Sequence, residues 1–163
     1  MKQLIPCVLV AILFLSCNKN KNSCSYNPCT VSAPAAEITA VESYLTANSI
    51  TATKHCSGFY YIIDVPGTGP TPTICSVVSV KYKGQLSNGT IFDQATTAVS
   101  FNLNVLIEAW KKALLQVKSG GKIRMWVPPS LAYGSQDVRN ASGAVIIPGN
   151  SMLIFEVELV GIL

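Results

Sequence analysis

Residues 104–121 (NVLIEAWKKALLQVKSGG) form the one clearly amphipathic helical pattern in the second half of the chain, and the segments on both sides of it are patterned as strands. Leu106, Trp110, Ala113, Leu114 and Val117 recur at helical spacing on one side, and Lys111, Lys112, Gln116 and Lys118 fall on the other. Such a stripe has to bury against a sheet. Asn104 reads as an N-cap, Glu108 places negative charge in the first turn, Lys118 sits in the last, and Gly120-Gly121 can take the left-handed ending. The chain reaches the helix through Val105, Leu106 and Ile107, so Trp110 sets a broad apolar surface close to the helix start, where it can floor a pocket.

Around this helix the pattern is extended. Residues 58–65 (GFYYIIDV) are aromatic and β-branched and end at Pro66-Gly67, which predicts a strand followed by an irregular crossing. Residues 76–83 alternate, with Val78, Val80 and Tyr82 on one face and Ser79, Lys81 and Lys83 on the other. Asn88-Gly89 then marks a tight hairpin turn, and residues 90–93 return as the partner strand. Residues 95–98 read as a bulge or loop before extended structure resumes over 99–103. Ile123, Met125 and Val127 alternate with Lys122, Arg124 and Trp126 until Pro128-Pro129 stops the strand. Residues 131–149 read as a long loop with several glycines. A last strand over 152–160 turns Leu153, Phe155, Val157 and Leu159 inward and Glu156 and Glu158 outward. The fold class is therefore α+β, a mainly antiparallel sheet wrapped on a single helix.

The N-terminal part is of another kind. Lys2 precedes an apolar run over residues 4–15, too short to span a bilayer and laid out as a signal peptide. The run closes in LFLSC, which resembles a bacterial lipobox; Cys17 would then be acylated and become the first residue of a membrane-anchored mature chain. An ordinary cleaved signal with an incidental Cys17 is the other reading. Residues 18–35 are rich in Asn, Lys, Ser, Pro and Ala, a composition that predicts a flexible tether. Ile38, Val41, Tyr44 and Leu45 then follow a helical period that Asn48 can end, placing a short helix on the domain edge or at a self-association surface.

Of the six cysteines, Cys7 leaves with the signal and Cys17 carries lipid, so Cys24, Cys29, Cys56 and Cys75 remain. An even number in an exported chain favours two disulfides, with three connectivities open; Cys24 and Cys29 can close a short loop around Asn27-Pro28. The single histidine, His55, has no short-spaced partners and reads as a surface residue, so no metal site is expected. The net charge of +4 over 163 residues forms no basic run that would suit nucleic acid.

No nucleophile is paired with a base, and Asp64, Asp93, Glu156 and Glu158 are spaced as surface or hairpin residues. What the chain does have is Tyr82, Phe92, Trp110, Tyr133 and Phe155, aromatics at strand and loop ends near the helix start. Pattern alone leaves these open as plain core. In order along the chain, however, VKYKGQLSNGTIFDQ (80–94), LIEAW (106–110), LAYG (131–134) and VIIPGNSMLIFEVEL (145–159) resemble the successive signatures of FKBP-type peptidyl-prolyl isomerases. The segment before them is similar to exported lipoprotein members.

The resemblance implies a half-barrel antiparallel sheet around one central helix, with an extra N-terminal helix, and a hydrophobic pocket between sheet and helix. It assigns 1–16 to a lipoprotein signal peptide, 17–34 to the tether, 35–57 to the N-terminal helix and linker, and 58–163 to the isomerase domain. It makes Tyr82, Phe92 and Phe155 pocket walls, Trp110 the floor, Leu106 and Ile107 the rim, and Ile147 part of a flanking loop wall. The Ile107 N–H would receive a ligand carbonyl and the Tyr133 hydroxyl would donate to another. Asp93 would be either a polar contact beside the reacting amide or an anchor for the loop at 95–98. Catalysis would then fall to Asp93, Tyr133, Trp110 and Phe92, with no cofactor. Proline-containing or unfolded polypeptides would be the substrates and macrolides candidate inhibitors. The place of action would be the cell envelope, lipid-anchored and facing the periplasm. Ala109 and Asn104 stand where the family usually has Gly, and the loop after Tyr133 is longer than in small members. A non-catalytic binding module of the same fold is the alternative.

Overall fold

The computed structural model describes residues 24–163; the expected signal over 1–16 and the acylation site Cys17 lie outside them. In chain order the elements are α1 (Ala35–Ala47), β1 (Thr53–Lys54), β2 (Tyr60–Val65), β3 (Val77–Leu86), β4 (Ile91–Asn102), a 3-10 turn (Leu103–Val105), α2 (Glu108–Leu114), β5 (Gly121–Val127), a second 3-10 turn (Pro129–Leu131), β6 (Val138–Arg139), β7 (Val145–Ile147) and β8 (Leu153–Ile162). Strands β1-β2-β5-β8-β3-β4 form one six-stranded sheet, paired antiparallel throughout. This is the α+β arrangement the alternation predicts.

The sheet closes on α2 because the two-residue period of its strands keeps one phase. Val78 and Val80 of β3, Ile123, Met125 and Val127 of β5, and Leu153, Phe155, Val157 and Leu159 of β8 are buried on the same face. They pack with Trp110, Ala113, Leu114 and Val117 in the main core. The opposite face at β3, β5 and β8 carries a charge ladder: Lys83 pairs with Glu156 at 2.7 Å and Lys122 with Glu158 at 3.1 Å, while Arg124 takes Asp64 of β2 at 2.8 Å. Such exposed pairs fix register more than they stabilise. The β3–β4 hairpin turns at Asn88-Gly89, where Gly89 holds φ +87° in the left-handed region. Farther along it, Val80 faces Val99 but Tyr82 faces Ala95, so Lys81 alone opposes residues 96–98, the bulge expected there.

Several expectations need correction. The helix is shorter than its stripe: residues 103–105 are a 3-10 turn and α2 occupies only Glu108–Leu114, with Ile107 rather than Asn104 at the N-cap. Leu103, fully buried, plugs the core one turn early, and the backbone stays extended through Leu106 and Ile107 before the helix can start. Lys112, expected on the solvent side, is wholly buried and donates from Nζ to the Val31 carbonyl. His55, expected at the surface, is 8% exposed, stacks on Phe59 with ring centroids 4.6 Å apart, and sits with Nδ1 2.9 Å from Ser57 Oγ. Burial, and secondarily the charge of Lys112, pull its pKa down. Among the described residues no three metal-binding side chains cluster.

The described part of the expected tether is not loose. Cys24 is bonded to Cys75 and Cys29 to Cys56, so the short Cys24–Cys29 loop does not form and the two bridges nest instead. The Ala33 N–H also donates to the Ser57 carbonyl at 2.8 Å. Composition measures only how little apolar area the segment can bury, whereas covalent bridges hold it without a core of its own. Helix α1 lies not at an edge but on the outer face of the sheet. Its Val41 and Leu45 form a second cluster with Tyr60, Trp126 and Ile154, each burial worth about 1.5–3 kcal/mol. Trp126, expected in the outward polar row, is 3% exposed beneath it. The loop 131–149 is also more ordered than its glycines suggest. It contains the β6–β7 hairpin, where Asn140 Oδ1 accepts from the N–H groups of Ser142 and Ala144.

Candidate active site

Six parts of the fold converge on one cleft of about 170 Å³ lined by Tyr82, Phe92, Asp93, Phe101, Leu106, Ile107, Trp110, Tyr133 and Phe155. Strand β3 supplies Tyr82, and β4 supplies Phe92 and Asp93 before its bulge and Phe101 after it. The extended residues before α2 supply Leu106 and Ile107, the helix supplies Trp110, β8 supplies Phe155, and the segment following the second 3-10 turn supplies Tyr133.

Trp110 is 5% exposed and is gripped on three sides. Its ring meets Tyr82 at 5.3 Å, Phe155 at 5.6 Å and Phe101 at 6.3 Å, with interplanar angles of 81°, 90° and 89°. Phe92 meets Phe155 in the same edge-to-face manner at 5.7 Å. These contacts set the positive edge of one ring against the negative face of the next, which fixes ring orientation as well as burying area. Backbone makes room for the wall at Gly84: a Cβ there would fall 2.6 Å from Phe92 Cζ and 3.0 Å from Phe155 Cε1. Any side chain at that position drives a ring into the cleft.

The polar groups are few. Tyr82 donates its hydroxyl hydrogen to Asp93 Oδ2 at 2.6 Å. Burial first, and then the bond to and the charge of Asp93, push the Tyr82 phenol well above its ordinary range. Tyr133 is 44% exposed, and its phenol is likewise raised, by burial and then by Asp93. Both hydroxyls therefore keep their protons at neutral pH and can donate.

Eight of the nine positions expected in the site meet in this cleft. Ile147 does not: it is 3% exposed and belongs to the main core. Phe101 lines the cleft and was not foreseen; the only signal for it was an aromatic in the strand resuming after the bulge. Tyr82 proves to be the hydrogen-bond partner of Asp93 as well as a wall.

Residues 69–160 match the family model of FKBP-type peptidyl-prolyl cis-trans isomerase. The chain belongs to this family. The matched segment of this FKBP-type chain contains every cleft residue and omits α1 and the disulfide-held residues before it. The chain is 38% identical over 109 residues to the FKBP-type peptidyl-prolyl cis-trans isomerase FkpA of Escherichia coli strain K12, covering 65% of this chain and 38% of that protein. It is also 38% identical over 112 residues to the FkpA of Buchnera aphidicola subsp. Acyrthosiphon pisum, covering 67% and 44%. The FKBP-type chain thus spans less than half the length of these curated relatives. Among solved structures, a peptidyl-prolyl cis-trans isomerase from Pseudomonas syringae pv. tomato superposes with TM-score 0.67 at 30% identity, covering 81% of this chain and 98% of that one. The FkpA structure from Escherichia coli gives TM-score 0.66 at 32% identity, covering 78% and 60%.

Proposed function

We propose that the chain is a peptidyl-prolyl cis-trans isomerase that acts on proline-containing or unfolded polypeptides in the cell envelope. The observation that carries this reading is the Trp110-floored aromatic cleft, whose polar groups are the hydrogen-bonded Tyr82–Asp93 pair and the Tyr133 hydroxyl at its edge.

Rotation about a peptide bond is opposed by about 18–20 kcal/mol because the nitrogen lone pair conjugates with the carbonyl. At the twisted geometry that conjugation is lost, the charge separation of the amide falls, and the carbonyl leaves its plane. An apolar site that grips the proline ring favours this state over the planar, more polar ground state. Trp110 takes the ring against its face, with Phe92 and Phe155 beside it. The Ile107 N–H and the Tyr133 hydroxyl hold the flanking carbonyls while the bond between them turns. No proton is transferred, and the chemistry calls for no cofactor. Asp93 acts at the cleft edge. Macrolides that mimic the twisted amide compete for the same cleft.

The exported setting is supported by the signal-like residues 1–16 and by two disulfides, which persist in oxidising compartments. In this reading Cys17 carries lipid and anchors the chain facing the periplasm. Among the described residues, no helix is long and apolar enough to cross a membrane. The test is an X-Pro isomerisation assay of the chain against its Trp110→Leu variant. Acceleration that the substitution removes supports the enzyme; peptide binding without acceleration makes the cleft a binding module and overturns the proposal.

A further inference from the structure

Helix α2 carries the cleft floor, yet its own sequence holds it weakly. It has seven residues and no side-chain N-cap, whereas a helix of fewer than about 12–15 residues is marginal without tertiary support. Its inner side is fixed by the core through Ala113 and Leu114. Its other side meets the disulfide-held segment 24–34. There the Tyr26 hydroxyl donates to Glu108 Oε2 at 2.8 Å, and the buried Lys112 Nζ donates to the Val31 carbonyl and lies 3.5 Å from the same Oε2. Lys111 Nζ holds the other oxygen, Oε1, at 2.9 Å.

These contacts bracket the floor. Glu108 directly follows the rim residue Ile107, and Lys112 lies two residues beyond Trp110. Lys112 is committed to this arrangement, because a buried ammonium deprived of its partners is strongly destabilising. None of the three side chains lines the cleft, and the segment they grip lies outside the residues that define the family match.

We propose that Tyr26, Glu108 and Lys112 are positioning residues, through which the segment 24–34 straps down the turn bearing Ile107 and Trp110 and thereby sets the catalytic efficiency of the cleft. The proposal rests on the isomerase reading. The strap acts on geometry alone, since a small displacement of groups that hold a substrate is amplified in rate.

The test uses the full chain with both disulfides intact, in a Trp126→Phe background that leaves Trp110 as its only tryptophan. Tyr26→Phe is compared with Tyr60→Phe, which also removes a phenol-to-carboxylate bond, to Glu42, but in the outer layer. Tyr26→Phe is expected to lower kcat/KM by roughly 5- to 20-fold and to shift the Trp110 emission. Tyr60→Phe is expected to do neither at a similar loss of Tm. Lys112→Met is expected to behave as Tyr26→Phe; if it does not fold, Tyr26→Phe still decides. Equal kcat/KM and emission for the two tyrosine variants overturn the proposal. If the parent does not accelerate isomerisation, the isomerase reading fails separately. Affinity for a proline peptide and Trp110 emission then decide the strap: a change with Tyr26→Phe alone supports it, and no change overturns it.

Discussion

Asp93 accepts the Tyr82 hydroxyl hydrogen at 2.6 Å across β3 and β4, so one oxygen of the cleft-edge carboxylate is already committed to a neighbour. The carboxylate therefore orients a wall residue whatever else it does. Tyr82→Phe keeps the ring and removes the bond, and is expected to cost no more than about 1 kcal/mol. Asp93→Ala is expected to lower kcat/KM further than Tyr82→Phe at similar stability. Equal losses would show that Asp93 works only by holding Tyr82.

The aromatic floor separates enzyme from inert core. Trp110→Leu removes the ring that Tyr82, Phe101 and Phe155 meet in T-shaped contacts, and is expected to destabilise by about 2–3 kcal/mol and to lower kcat/KM at least tenfold. Phe92→Leu should lower both turnover and macrolide affinity. Tyr133→Phe should leave Tm nearly unchanged and still reduce kcat/KM. If all three act only through Tm, the rings are core and the site assignment fails.

The phenols of Tyr26 and Tyr82 are both raised above their ordinary value of 10.0, by burial first and then by the carboxylates they bind. The folded chain thus keeps protons that the unfolded chain releases above pH 10. The stability these groups contribute is fully present below that pH and is lost as pH rises through the raised values. Denaturation curves at increasing pH should show the fall, and the double variant Tyr26→Phe, Tyr82→Phe should flatten it. A parent curve that stays level well above pH 10 would contradict the assignment.

Titration of the denatured, unreduced protein should find Cys24, Cys29, Cys56 and Cys75 unreactive. Replacing Cys29 and Cys56, 27 residues apart, by Ala opens a loop whose closure is worth on the order of 3–4 kcal/mol. A Tm unchanged by that double substitution would mean the bridge adds nothing to the fold.

Cys17→Ser should abolish lipid labelling and release the protein from membranes. Labelling that persists in the variant places the modification elsewhere or nowhere.

Much of the fold was legible because β3 and β8 keep one register from the Val80–Leu159 pair to the Leu86–Leu153 pair. Once Val80 and Leu153 are set inward, Tyr82 and Phe155 follow by parity. Trp110 was legible from the helical stripe, but the contact proposed for the Ile107 N–H rested on the family resemblance, since no side-chain pattern marks a backbone donor. Phe101 was missed because the bulge at 96–98 breaks the parity count, so its face could not be carried over from Phe92. Trp126 and Lys112 were assigned to solvent because what covers them is far away in sequence. Trp126 is buried under α1, and Lys112 is bound to Val31, 81 residues earlier.

The nesting of the two bridges bears on how the molecule is made. A chain emerging N-terminus first presents Cys24, then Cys29, then Cys56, and only later Cys75. Oxidation in order of appearance would join Cys24 to Cys29, a pair that the mature molecule keeps apart. Native pairing therefore requires either that Cys24 stay reduced until residue 75 has emerged or that an early bond be reshuffled by thiolate attack. Yield from a host should accordingly follow its capacity to rearrange disulfides rather than merely to form them.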